Sequence, residues 1–186
     1  MCNARLHSLC LYKFLQSYET LIRFFKTFIL PFFDYCSSLF IYMSKTLLTR
    51  FNRFFCKCIY KLLKLNIHNL NIEEQANILA NYNIRPYFYR LIERFAIFSK
   101  KIMINDILSN IKDKLQTRTN KFNVRTFDSF KVPKNITFDG KRRISVFLPK
   151  FLNKILKNSY NNSYSDLKKH FSSNMKTFYV QFMECI

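Results

Sequence analysis

Gly140 is the only glycine among the 186 residues of this chain, and that scarcity bounds the fold before any pattern is read. Glycine is the usual residue wherever backbone must adopt positive φ, so glycine-dependent hairpin turns and phosphate-cradling loops are nearly unavailable. Only four prolines interrupt the chain, while 22 Phe and 11 Tyr supply abundant core material. With 49% hydrophobic residues it is too apolar to stay disordered, even at a net charge of +20. A mainly α fold follows: a helical bundle around one substantial core, or a core with a small appendage.

Hydrophobic spacing places the helices. Within 4–30, Leu21, Phe24, Phe25, Phe28 and Ile29 recur at helical intervals, and Pro31 is expected to stop that helix and open a second one to about Met43. Ser44 then caps a helix over 45–65, and Asn66 to Asn71 forms a polar break. Asn71 in turn caps a short helix with Glu73 and Glu74 at its positive end, which gives these paired carboxylates a structural reason. Pro86 opens a helix to about Ile104 whose one face carries Phe88, Leu91, Ile92, Phe95, Phe98 and Ile102; Asp106 to Leu115 adds a short amphipathic stretch. From Thr117 to Val146 eight basic residues face two acidic ones, and alternation at Phe122/Val124 and Phe130/Val132 fits a small β-hairpin. Helix resumes at Leu148–Leu156 and again at Ser165–Phe182, where Leu167, Phe171, Met175, Phe178 and Phe182 form a core-facing stripe. The change of character after Gln116 divides the chain into a helical region, 1–116, and a basic, loop-rich segment with C-terminal helices, 117–186.

The helix over 45–65 carries the strongest functional signal. Six basic residues and no acidic one lie between Ser44 and Leu65, and no Asp or Glu occurs from Cys36 to Ile72. Arg50, Arg53, Lys57, Lys61 and Lys64 are spaced 3, 4, 4 and 3, which at 100° per residue confines them to a sector of roughly 80°. Leu48, Phe51, Phe55, Cys58, Ile59 and Leu62 occupy another sector. Such a helix can bury one face and present the cations to something anionic; without carboxylates nearby, the stripe gains stability when phosphates approach. A solvated helix face is the plain alternative. Lys141, Arg142 and Arg143 make a second basic patch. Part of the basicity belongs to a Lys-, Asn-, Ile- and Phe-rich composition typical of an AT-rich coding sequence, yet that bias does not explain the shortage of acids.

Other chemistries find little support. Cys56-x-Cys58 lacks a second pair at metal-ligand spacing, with His68 the only histidine in reach, so neither a metal nor another cofactor is expected. The six cysteines form no disulfide framework and Met1–Arg5 opens no secretory leader, which points to an intracellular protein of nucleus or cytoplasm. Thr27–Met43 is 17 residues long and holds Pro31 and Asp34, short of the roughly 20 apolar residues of a membrane span. No G-K-[ST] loop, H-E-x-x-H helix or recognisable Ser/His/Asp set is present, and no small-molecule substrate is implied.

Thr27-Phe-Ile-Leu-Pro-Phe-Phe-Asp-Tyr-Cys-Ser-Ser-Leu-Phe40, followed by Ser44-Lys45 and an aromatic, basic helix to Ile59, resembles the region after the polymerase palm in reverse transcriptases of non-LTR, jockey-like retrotransposons. There an "ILP" step, "hFDYCS-x-x-W" and "SK" stand in the same order. Ile84-Arg85 through Lys100-Lys101-Ile102 is similar to the family's Arg-led helix, Thr117-Arg118-Thr119 to its "TRS" element, and Phe130-Lys131-Val132-Pro133 to its "VP" turn. Gly140 to Ile155, above all Pro149-Lys150-Phe151-Leu152-Asn153-Lys154-Ile155, is similar to its "P-x-LWN-x-LP" close, and Ser165 to Tyr179 to its terminal helix. Phe40 and Leu152 stand where the family usually has Trp, and the proline after Ile155 is missing.

The resemblance implies a truncated, thumb-like C-terminal portion of an RNA-directed DNA polymerase. It would contact template–primer backbone, RNA or DNA, without reading sequence, through Arg50, Arg53, Lys57, Lys61, Lys64, Lys141, Arg142 and Arg143. It also implies what this chain lacks: the palm "Y/F-x-DD" strand has no counterpart, because no Asp-Asp pair occurs, so no polymerase activity is expected of the chain by itself. Three readings from other classes stand beside it: a peripheral membrane-associated basic helical protein, a helical interaction protein, and a non-functional remnant.

Overall fold

The computed structural model describes residues 17–35, 37–104, 109–113, 115, 130–134, 144–156 and 163–185. The described chain is mainly α, in the order α1 (Tyr18–Phe24), a π-helical turn (Phe25–Ile29), α2 (Leu30–Asp34), a 3₁₀ segment (Ser37–Tyr42), α3 (Lys45–Leu63), α4 (Ile72–Ala80), α5 (Tyr87–Ile104), α6 (Ser109–Lys112), α7 (Ile144–Phe151), a second π segment (Leu152–Leu156) and α8 (Tyr164–Cys185). It divides into two compact units, Met1–Leu91 and Ile92–Ile186, so the division falls within α5. The change of composition at Gln116 lies outside the described residues.

In the first unit the caps set the helix starts. Ser17 accepts from the Thr20 amide at 3.4 Å and Ser44 from the Leu47 amide at 3.2 Å, each satisfying an amide that a helix start leaves unpaired. Asn71 and Glu74 form a reciprocal capping box, with Asn71 Oδ1 accepting from the Glu74 amide at 2.9 Å and the Asn71 amide donating to Glu74 Oε2 at 3.0 Å.

Pro31 opens a second helix as the sequence predicts, but the chain before it does not break and the new helix is shorter than expected. The helix before it widens into the π turn, where the Leu30 amide reaches back to Phe25 O; proline then sits in the first turn of α2, where its missing donor costs little. The second helix ends at Asp34 rather than near Met43, and the chain continues as the 3₁₀ segment. A bidentate ion pair explains the placement of Asp34: Arg90 Nε of α5 donates to Oδ1 at 3.1 Å and Arg90 Nη2 pairs with Oδ2. Both side chains are about four-fifths buried, so the pair contributes roughly 1.5–3 kcal/mol relative to either partner left alone.

The core of this unit is aromatic. Phe55 of α3 is wholly buried and its ring lies 5.2 Å from Phe33, 6.0 Å from Phe25 and 6.1 Å from Tyr87. Phe40 packs its ring 5.0 Å from Phe51. Leu48, Cys58, Ile59 and Leu62 are buried with Phe55, as the apolar sector of α3 predicts.

In the second unit Phe95 of α5 meets Phe151 at 4.7 Å and Phe147 at 5.4 Å, edge to face, and Phe147 meets Phe182 at 6.1 Å. Helix α8 packs against α7 and the π segment that follows it. Its predicted stripe is buried at Phe171, Met175, Phe178 and Phe182, although Asn174 (φ −119°, ψ 19°) kinks the helix midway. The candidate strand at Phe122/Val124 lies outside the described residues. At Phe130, a β-bridge position, the amide donates to Asn153 Oδ1 at 3.0 Å and Asn153 Nδ2 donates to Phe130 O at 2.8 Å. No helix among the described residues is long and apolar enough to cross a membrane.

Candidate nucleic-acid interface

Helix α3 is amphipathic because its buried sector is held by the aromatic core, and that fixes where its cations point. Arg50, Arg53 and Lys57 are exposed, and none of them forms an ion pair with a described residue. Lys61, one turn further on, is half-buried and engaged with neighbouring groups. These four keep the predicted register. Lys64 does not: it is the C-cap, in the left-handed conformation at φ 56°, with its amide bonded to Tyr60 O at 2.9 Å. A left-handed C-cap satisfies a carbonyl orphaned at the helix end, and it carries the Lys64 ammonium off the helical sector to 5.7 Å above the Tyr60 ring, within cation–π range. Cations near this helix C-terminus also complement its dipole, the structural reason for Lys61 and Lys64. Lys141, Arg142 and Arg143 lie outside the described residues.

Beside the stripe runs a groove of about 520 Å³, in which α3 contributes Arg53, Cys56, Lys57 and Tyr60 and the following loop contributes Asn66, His68 and Asn69. Two anchors hold that loop. Ile67 is fully buried, and Gln75 of α4, 4% exposed, donates from Nε2 to Ile67 O at 3.1 Å and to Leu70 O at 3.0 Å. Between these anchors the His68 Nδ1–H donates to Asn69 Oδ1 at 3.2 Å. The sequence pattern identifies Asn66–Asn71 only as a break; the clustering of Asn and His directly after the basic helix was the available signal. Gln75, a buried amide on a short polar helix, had none.

Cys56 and Cys58 are both buried and form no disulfide with a described residue, and among the described residues no group of three His, Cys, Asp or Glu side chains could hold a metal ion. Burial pushes the Cys56 thiol from an ordinary 9.0 up to about 11, so it is neutral at pH 7 and a poor nucleophile. The unfolded chain, with its ordinary thiol, deprotonates first as pH rises. The contribution of Cys56 to stability is therefore full below about pH 9 and is lost as pH climbs through about 11. Denaturant titrations at pH 8.5 and 11 are expected to show the native protein losing roughly 2–3 kcal/mol more than Cys56→Ala over that interval; equal losses would contradict the assignment.

No known protein family, curated protein or solved structure matches the chain.

Proposed function

We propose that the chain is the segment following the palm of a non-LTR retrotransposon reverse transcriptase, and that α3 contacts nucleic-acid backbone. The observation that carries the reading is the exposed row of Arg50, Arg53 and Lys57, without an ion pair among the described residues, on a helix whose opposite face is locked into the core. A row of this kind attracts phosphates by charge and counterion release, and it fixes a duplex in place without reading bases. The order of the sequence elements from Thr27 to Tyr179 supports the family part of the reading. Two duplexes of unrelated sequence and equal length should bind with affinities within about threefold of each other, since phosphate contacts carry no base information. A tenfold preference for one of them in an anisotropy titration, or flotation with anionic vesicles in place of any nucleic-acid binding, would contradict the reading.

On this account the segment positions substrate and performs no chemistry of its own. Polymerisation requires paired carboxylates holding two divalent ions, and no Asp-Asp pair occurs in this sequence. Incubated with a primed template, nucleotides and magnesium or manganese, the chain is expected to extend no primer. Template-dependent extension that disappears on changing one acid of this chain would overturn that expectation.

A further inference from the structure

The groove beside the stripe has features that a backbone-binding surface does not need. A row of cations suffices to hold phosphates, yet Arg53 and Lys57 also border a concavity of about 520 Å³ that contains the Tyr60 ring, 48% exposed, and the polar side chains of Asn66, His68 and Asn69. That volume lies within the roughly 300–1,000 Å³ of small-ligand sites. Its charge is one-sided, because Arg53 and Lys57 line it and no Asp or Glu does. It is also built rather than incidental, since Ile67 and the double hydrogen bond from Gln75 fix the loop that forms its far side.

We propose that this groove accepts one unpaired base of a nucleic-acid strand whose phosphates lie on Arg53 and Lys57; the inference rests on the nucleic-acid reading above. The base lies against the face of the Tyr60 ring that the Lys64 ammonium does not cover, because every nucleobase has a face that stacks on an aromatic side chain and two cations one helical turn apart can hold the adjoining phosphates. Asn66 and Asn69 offer amide donors and acceptors to its edge, and the His68 ring, already bonded through Nδ1 to Asn69, offers Nε2. The ligand class is thus a strand with at least one unstacked nucleotide, such as a junction between duplex and single strand. A fully paired duplex engages only the row of cations.

The test compares a paired duplex, the same duplex with one bulged nucleotide, and that bulged duplex with the extra nucleotide abasic, each titrated with the full chain. The native protein should bind the bulged duplex about tenfold tighter than the paired one, and the abasic bulge should lose that gain. Tyr60→Ala, at a half-exposed position, should bind all three like the paired duplex, while Tyr60→Phe keeps the preference. Equal affinity of the native protein for all three would overturn the groove proposal and leave the backbone reading standing. Absence of binding to any of them would overturn both. A preference that survives in folded Tyr60→Ala, or binding to anionic vesicles that Tyr60→Ala abolishes, would likewise overturn the assignment of the groove to a base.

Discussion

Phe55→Ala is expected to cost the first unit roughly 3–5 kcal/mol, the range for deleting a fully buried phenyl ring. The size follows from the site: the side chain has no exposure, and Phe25, Phe33 and Tyr87 surround it at 5.2–6.1 Å, Phe33 at an interplanar angle of 89°. Truncation removes the transfer free energy of the ring and leaves three large rings bordering a void. Phe33 and Tyr87 cannot move to close it without disturbing their own edge-to-face contact, 6.0 Å between ring centroids, an arrangement worth about 0.5–1.5 kcal/mol beyond area burial. Against a total stability of about 5–15 kcal/mol, the loss is a large fraction. Tyr35→Ala makes the comparison, since that ring is 76% exposed and its removal should stay within about 0.5 kcal/mol. Urea titrations of the two variants would show it, and a loss below about 1 kcal/mol for Phe55→Ala would contradict the packing described for α3.

What the sequence revealed, and what it did not, follows the range of the forces involved. Helix starts were legible because caps act over three residues: Ser44 and Asn71 cap as predicted, and Glu74, expected only as an acid at the positive helix end, also returns a hydrogen bond to the Asn71 amide. The buried face of α3 and the stripe of α8 were legible because each is set by a period within its own segment. The passage through Pro31 was not, since a π turn that lets the chain enter α2 depends on Phe25, Ile29, Leu30 and Phe33 all finding places in the core. Nor did periodicity show that Lys64 leaves the stripe, because the left-handed C-cap ends the helix one residue before it. The groove was invisible for the same reason on a larger scale. Its loop is positioned by Gln75, whose bonds to Ile67 and Leu70 span 8 and 5 residues and belong to no local pattern.

The central claim is that α3 meets an anionic backbone through cations projecting from the face opposite its buried one. Arg50, Arg53 and Lys57 are the residues to change, being exposed and without ion pairs among the described residues, whereas Lys61 is half-buried and engaged. Replacing all three by Gln removes charge while keeping side-chain length, and no core contact is touched, so far-ultraviolet circular dichroism should be unchanged. Binding of a duplex to the native chain should weaken steeply with salt, log K falling by about 0.9 per phosphate neutralised for each unit of log salt. The decisive measurement is that slope, taken by fluorescence anisotropy across a salt series for the native chain and for the triple variant. A slope flatter by roughly 3 units in the folded variant, with weaker binding at low salt, is the predicted result; an unchanged slope and affinity would contradict it and make the stripe an ordinary solvated helix face.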